Sequence, residues 1–154
     1  MTDTPYRNVR GVLRATATAR VAELPARALA DASAAVGTLA RLRRCDPADV
    51  GAEPQVWAVT LGDLPEELTT YRSGRPDTPT PSERALHAAL VLYALHQQSR
   101  DEAVHRPGVS LGSAVGQLAR ARAVEDDLDA ATIARLHHAA LATSFEGHVH
   151  HLRG

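Results

Sequence analysis

The sequence has 154 residues, 44% hydrophobic, 3% aromatic and 23% charged, with a formal net charge of −1. This length suits one domain or two small lobes and is enough to bury a core. The longest apolar run, Ala88–Leu95, is far short of the ~20 residues that span a bilayer; the N-terminal MTDTPYRNVR has no apolar signal region, and the single Cys45 excludes an internal disulfide or a paired-thiolate metal knuckle.

These features lead to the expectation of a cytoplasmic protein. All 17 basic residues are Arg, which a GC-rich genome explains as readily as a need for the planar guanidinium fork. Charge is distributed in blocks. Residues 1–44 carry 8 Arg against 3 acids, and residues 45–83 carry 2 against 8. Residues 84–124 carry 5 against 2, and residues 125–154 carry 2 against 5. Such blocks favour separate basic and acidic surfaces.

Residues 1–8 form a polar tail. An Ala- and Arg-rich helix follows from Val9 to about Leu29, with Val12, Ala15, Ala19 and Ala22 on its apolar face. Pro25 is expected to kink or end it near Leu24. Ser33 caps a second helix, Ala34–Arg44, whose apolar side holds Val36, Leu39 and Ala40, widened by Leu42. Arg41, Arg43 and Arg44 crowd its last turn, where they suit either the helix dipole or a phosphate. Asp46-Pro47 and Glu53-Pro54 each resemble a helix entry. Pro54–Leu61 (PQVWAVTL) reads as a short helix in preference to a strand, with Trp57 expected in the core or between lobes. Residues 71–81 read as a linker, four of residues 70–81 being Pro or Gly.

The strongest local signal is Thr80–Arg100 (TPSERALHAALVLYALHQQSR). Thr80 is a cap, Pro81 fits the first turn, and Glu83 completes a capping box. From Ala85 to Leu95 only His87 is not apolar, so this helix is expected to be buried among others. Ser110 caps a fourth long helix, Leu111–Ala123, with Leu111, Val115, Leu118 and Ala119 inward and Gly112 and Gly116 allowing close helix approach. A fifth, Asp129–Ala142, places Ile133, Leu136, Ala140 and Leu141 inward. Ser144 caps Phe145–Arg153, with Phe145, Val149 and Leu152 on one side. The expectation is an all-α helical bundle in two small lobes, 1–70 and 82–154, with six or seven helices and no sheet.

No catalytic motif is present, and no enzyme is expected. The eight His include His148 and His151 at i,i+3, but no HExxH or convergent third ligand supports a metal site. Arg43 and Arg44 precede Cys45 and would lower its pKa, yet no partner His is placed by the sequence. A helix-turn-helix reading fails because Leu111, Gly112, Ser113 and Ala114 offer too little to read bases. One Trp, three Tyr and one Phe make a base-stacking platform a poor fit.

Five stretches in order resemble one family: Ala34–Arg44 (AAVGTLARLRR), Pro54–Leu68 (PQVWAVTLGDLPEEL), Ser82–Arg100 (SERALHAALVLYALHQQSR), His105–Arg122 (HRPGVSLGSAVGQLARAR) and Thr143–Arg153 (TSFEGHVHHLR). It is the CasB family, the small subunit of the type I-E CRISPR RNA-guided surveillance complex Cascade. The resemblance implies an all-helical, non-catalytic, two-lobed subunit without cofactor, present as two copies. It implies contacts with the backbone and large subunits and with guide RNA and target DNA in antiviral defence. By position it implicates Arg41, Arg43, Arg44, Arg100, Arg106, Arg120 and Arg122 as phosphate contacts that stabilise the R-loop. Guanidinium groups grip phosphate without reading sequence, which suits a complex that leaves recognition to base pairing. The alternative is a helical adaptor that touches only protein. Two departures stand out. Pro25 lies where the family runs an unbroken helix. Family members also continue past the HHLR motif with another amphipathic helix and an Arg-rich end, so exposed apolar surface is expected on the second lobe.

Overall fold

The computed structural model describes residues 5–29, 33–70, 78–124 and 127–153, with side chains described from residue 8 onward and not over residues 25–29. Among these residues the elements are all helical: α1 (Pro5–Leu29), α2 (Ser33–Leu42), a 3-10 turn (Pro54–Val56), α3 (Trp57–Thr60), α4 (Glu66–Thr69), α5 (Pro81–His96), α6 (Leu111–Ala121), α7 (Ala130–Leu141) and α8 (Phe145–Arg153). The one β-type pairing among them is an isolated bridge between Val124 and Asp127. No helix among them is long and apolar enough to cross a membrane.

The sequence explains the start of α5. Thr80 Oγ1 accepts from the Glu83 amide at 3.1 Å, and the Glu83 carboxylate accepts from the Thr80 amide at 2.6 Å. The expected capping box is therefore complete. The Thr80 hydroxyl also donates to the Leu68 carbonyl at 2.7 Å, which ties the end of α4 to the start of α5. Leu86, Leu90, Val91 and Ala94 are fully enclosed. Each large apolar side chain so buried contributes about 2 kcal/mol.

The chain forms two compact units, Met1–His105 and Arg106–Gly154. In the first, α1 packs on α2, α4 and α5, and α5 also packs on α2, α3 and α4. The buried faces of α5 are filled by the helices before it. Most of the expected linker, residues 71–77, lies outside the described residues.

Several expectations are corrected. The helix of α1 continues through Pro25 to Leu29. Its inward stripe is the buried Val21 and Leu24 with the half-buried Leu13 and Ala17, while Ala15, Ala19 and Ala22 are exposed. In an Ala-rich helix several stripes look alike, and the bulkier side chains decide which one packs. Val36 in α2 is exposed, with Ala35, Leu39 and Leu42 facing inward. The helix ends at Leu42, and Arg43 and Arg44 continue as a turn.

In the second unit α7 packs on both α6 and α8. Ser110, Asp129 and Ser144 cap these helices by accepting from Ser113, Thr132 and Gly147 amides at 3.2, 2.9 and 3.0 Å. The buried residues are mostly small: Ala119, Thr132, Ala139 and Val149. Phe145 and Leu152 flank Val149 as half-buried neighbours on α8, as the sequence pattern suggests. Leu111, Leu118, Ala140 and Leu141, expected inward, are exposed, Leu141 by 76%. No atom outside the local helix lies within 4 Å of where a Cβ would stand on Gly112 or Gly116. The expected close helix approach at these glycines is absent.

Candidate nucleic-acid interface

The seven arginines implicated by sequence fall on both units. In the first, Arg41 lies in the last turn of α2 and is half-buried, Arg43 is half-buried in the following turn, and Arg44 is exposed. Arg43 Nε donates to the Leu39 carbonyl at 3.2 Å. The turn is closed by the Arg43, Arg44 and Cys45 amides, which donate to the Leu39, Arg41 and Leu42 carbonyls at 3.1, 2.9 and 3.1 Å. Three arginines thus follow one another at the negative end of a helix, where cations are favoured, although the Arg41 guanidinium folds back beside Gly37. One of them is already partly committed to the helix itself.

Arg100 is exposed on the loop after α5. That loop is organised by Gln97, a buried side chain. Its Nε2 donates to the Arg100 and Glu102 carbonyls at 3.3 and 2.8 Å. Its Oε1 accepts from the Tyr93 hydroxyl at 2.8 Å and from the Val104 amide at 3.0 Å. Ser99 adopts φ 57° at the reversal, a left-handed conformation common just past a helix end. As sequence, this segment reads as a polar tip, and Gln97 does not stand out in it. The available signal is a Tyr–Gln pair at i,i+4 on a helix whose surroundings are apolar.

In the second unit Arg106, Arg120 and Arg122 are exposed. Arg120 lies in the last turn of α6 and Arg122 is its C-cap. The Asp129 carboxyl is held below its ordinary value by its hydrogen bond from the Thr132 hydroxyl, then by the Thr132 amide, with nearby Arg122 adding a smaller attraction. An acid therefore stands close to Arg122 in the fold.

Arg20 is not singled out by sequence. Its guanidinium donates to the Val59 and Gly62 carbonyls, so it fastens α1 to the end of α3. Burial lowers its pKa, opposed by Asp63 and Glu23. Gly62 is needed here, because a Cβ would stand 2.6 Å from the Ala58 carbonyl oxygen.

The remaining polar residues fit structural roles. Cys45 is buried and its thiol is 3.4 Å from the Arg41 carbonyl. Burial, with Glu53, pushes the thiol pKa up despite Arg44. This reverses the expectation drawn from its basic neighbours. His87 is buried within α5 and donates from Nε2 to the Asp46 carbonyl at 3.0 Å, while its Nδ1 has no partner. His138 and His151 lie with ring centroids 5.9 Å apart, and His150 and His151 5.4 Å apart. No group of three or more His, Cys, Asp or Glu among the described residues is placed to hold a metal ion.

The fold and these side chains define a class: an all-helical protein of two compact units, with arginines gathered at helix ends and no metal-binding cluster among the described residues. A profile of the CRISPR-associated protein Cse2 matches residues 38–154. The crystal structure of CasB from Thermobifida fusca is similar at 30% identity and a TM-score of 0.65, over 92% of this chain and 73% of that one. No curated protein matches the chain. The chain belongs to the CRISPR-associated Cse2 family, Cse2 being CasB. That membership supports a place as a Cascade subunit.

Proposed function

We propose that the chain is the non-catalytic small subunit of a type I-E Cascade and grips nucleic-acid backbone through its arginines. The observation that carries this reading is the gathering of Arg41, Arg43 and Arg44 at the end of α2, with Arg44 exposed. Arg100 and Arg106 on the loop after α5, and Arg120 and Arg122 at the end of α6, extend the set. Their partners are guide RNA and the target DNA strands, held by charge-assisted contacts that read no sequence. An R-loop exchanges duplexes of nearly equal stability, so a few such contacts tip the balance. The subunit docks on the backbone and large subunits as two copies and takes no part in cutting DNA.

A second reading, a protein-only adaptor, is favoured by two observations. Arg43 spends its Nε on the Leu39 carbonyl, and Arg122 lies near Asp129. The Arg43→Ala/Arg44→Ala variant separates the two. Normal assembly with nucleic-acid retention about tenfold weaker, and a shallower salt dependence, supports the phosphate grip. Unchanged retention supports the adaptor.

A further inference from the structure

The only tryptophan in the chain does not pack in a core. Trp57 opens α3 and is 46% exposed. It is nevertheless fixed. Its indole Nε1 donates to the Gly51 carbonyl at 3.0 Å, and its own carbonyl accepts from the Leu61 and Gly62 amides, each at 2.8 Å. Gly51 sits at φ +89°, a conformation that side chains rarely adopt. The ring is therefore held against a turn that only glycine forms easily, with much of its surface left in water.

The segment that carries it is acidic, and the half-buried Arg20 of α1 reaches its Val59 and Gly62 carbonyls. From Cys45 to Thr70 the sequence contains Asp46, Asp49, Glu53, Asp63, Glu66 and Glu67 and no Arg or Lys. All six are exposed except Glu53, which is half-buried. Asp49 and Glu53 each stand two residues from Gly51, on which the indole rests. Local roles account for some of these acids. Asp46 accepts from the Ala48 amide at 2.9 Å, Glu53 caps the 3-10 turn, and Glu66 and Glu67 open α4. These roles leave the sign of the surface unchanged. It repels a phosphate backbone, so it belongs to a different job from the arginine clusters.

We infer that Trp57 and the acids beside it form a docking site for an arginine-bearing protein segment. A guanidinium stacks on an indole face better than on any other side chain, and neighbouring carboxylates supply the counter-charge. A rigid exposed Trp also has the character of an interface anchor, since it gives a large contact area at little entropic cost. Charge complementarity selects the occupant. A neutral apolar segment would leave the carboxylates unpaired, and nucleic acid would be repelled. The inference does not depend on the nucleic-acid reading above.

The test uses the full chain and a fluorescein-labelled hepta-arginine peptide, with hepta-citrulline as the uncharged isostere, followed by anisotropy and by the emission of the single Trp. The expected result is saturable binding of the arginine peptide that changes Trp57 emission and weakens with salt. Citrulline does not bind. Trp57→Ala weakens binding roughly fivefold or more, the scale of a cation–π contact. Asp49→Asn/Glu53→Gln weakens it comparably, and Asp101→Asn, outside the segment, leaves it unchanged. Circular dichroism establishes that each variant is folded, and Trp57→Phe serves as a milder aromatic replacement that keeps most of the affinity. Equal binding of citrulline, an unchanged affinity in Trp57→Ala, or an equal loss in Asp101→Asn would overturn the inference.

Discussion

The Gln97 side chain accepts the Tyr93 hydroxyl at 2.8 Å and, through its amide, holds the loop that carries Arg100. One buried amide thus links the last turn of α5 to a residue in the candidate interface. Gln97→Leu removes the acceptor of the buried Tyr93 hydroxyl and of the Val104 amide. The expected cost is about 1–3 kcal/mol, read by chemical denaturation, together with faster hydrogen exchange at Val104. Unchanged exchange there would mean that the loop is held by something else.

Tyr93 gives the same network a pH signature. Burial pushes its phenol pKa above the ordinary 10.0. A raised folded-state value means that the stability contributed by the neutral phenol is fully present below pH 10.0 and is lost as pH rises through the folded value. Wild type should therefore destabilise on the alkaline side more steeply than Tyr93→Phe. The phenylalanine variant should itself cost about 1 kcal/mol at neutral pH. Parallel alkaline profiles would contradict the assignment.

Arg20 is predicted to be a structural arginine. Arg20→Lys keeps the charge but loses the two-pronged grip on the Val59 and Gly62 carbonyls, at an expected cost of about 1–2 kcal/mol. Gly62→Ala forces a Cβ against the Ala58 carbonyl and should cost about 1–3 kcal/mol. Both variants should shift the emission of Trp57, which lies at the start of the same short helix. Neither should change nucleic-acid retention at a temperature where the protein stays folded, and a selective loss of retention would move Arg20 into the interface.

Asp129 caps α7, and its carboxyl is held below the ordinary 3.8 by its bonds from Thr132. A depressed folded-state value gives stability that is present above pH 3.8 and is lost as pH falls through the folded value. Asp129→Ala should lower the melting temperature at neutral pH, and the gap to wild type should close in acid. A gap that persists in acid would assign the loss to packing.

The α5 helix is legible in the sequence because its start signal and its apolar length agree, and local hydrogen bonds alone make the capping box. The caps at Ser110 and Ser144 are readable for the same reason. The buried stripe of α1 is not. Alanines recur at every spacing there, and the choice of Val21 and Leu24 depends on what α2 and α5 present. Trp57 misleads because a large aromatic suits a core, while its exposure follows from a turn at Gly51 that no periodicity encodes. Leu111, Leu118 and Leu141 show the limit of amphipathic reasoning: it identifies side chains that favour burial without saying what covers them. For the candidate interface, the arginines are visible as residues. Gln97 and the Arg43–Leu39 bond are not, because each depends on how the chain turns back after a helix.

The most direct test of the central claim is an add-back measurement. A guide-loaded Cascade lacking its small subunit is supplied with this chain, and R-loop lifetime on matched DNA is recorded at two salt concentrations. The account predicts a longer lifetime that shortens as salt rises, with Arg43→Ala/Arg44→Ala losing much of the gain while still joining the complex. A chain that joins the complex and lengthens the lifetime equally with and without those arginines, at either salt concentration, would contradict it.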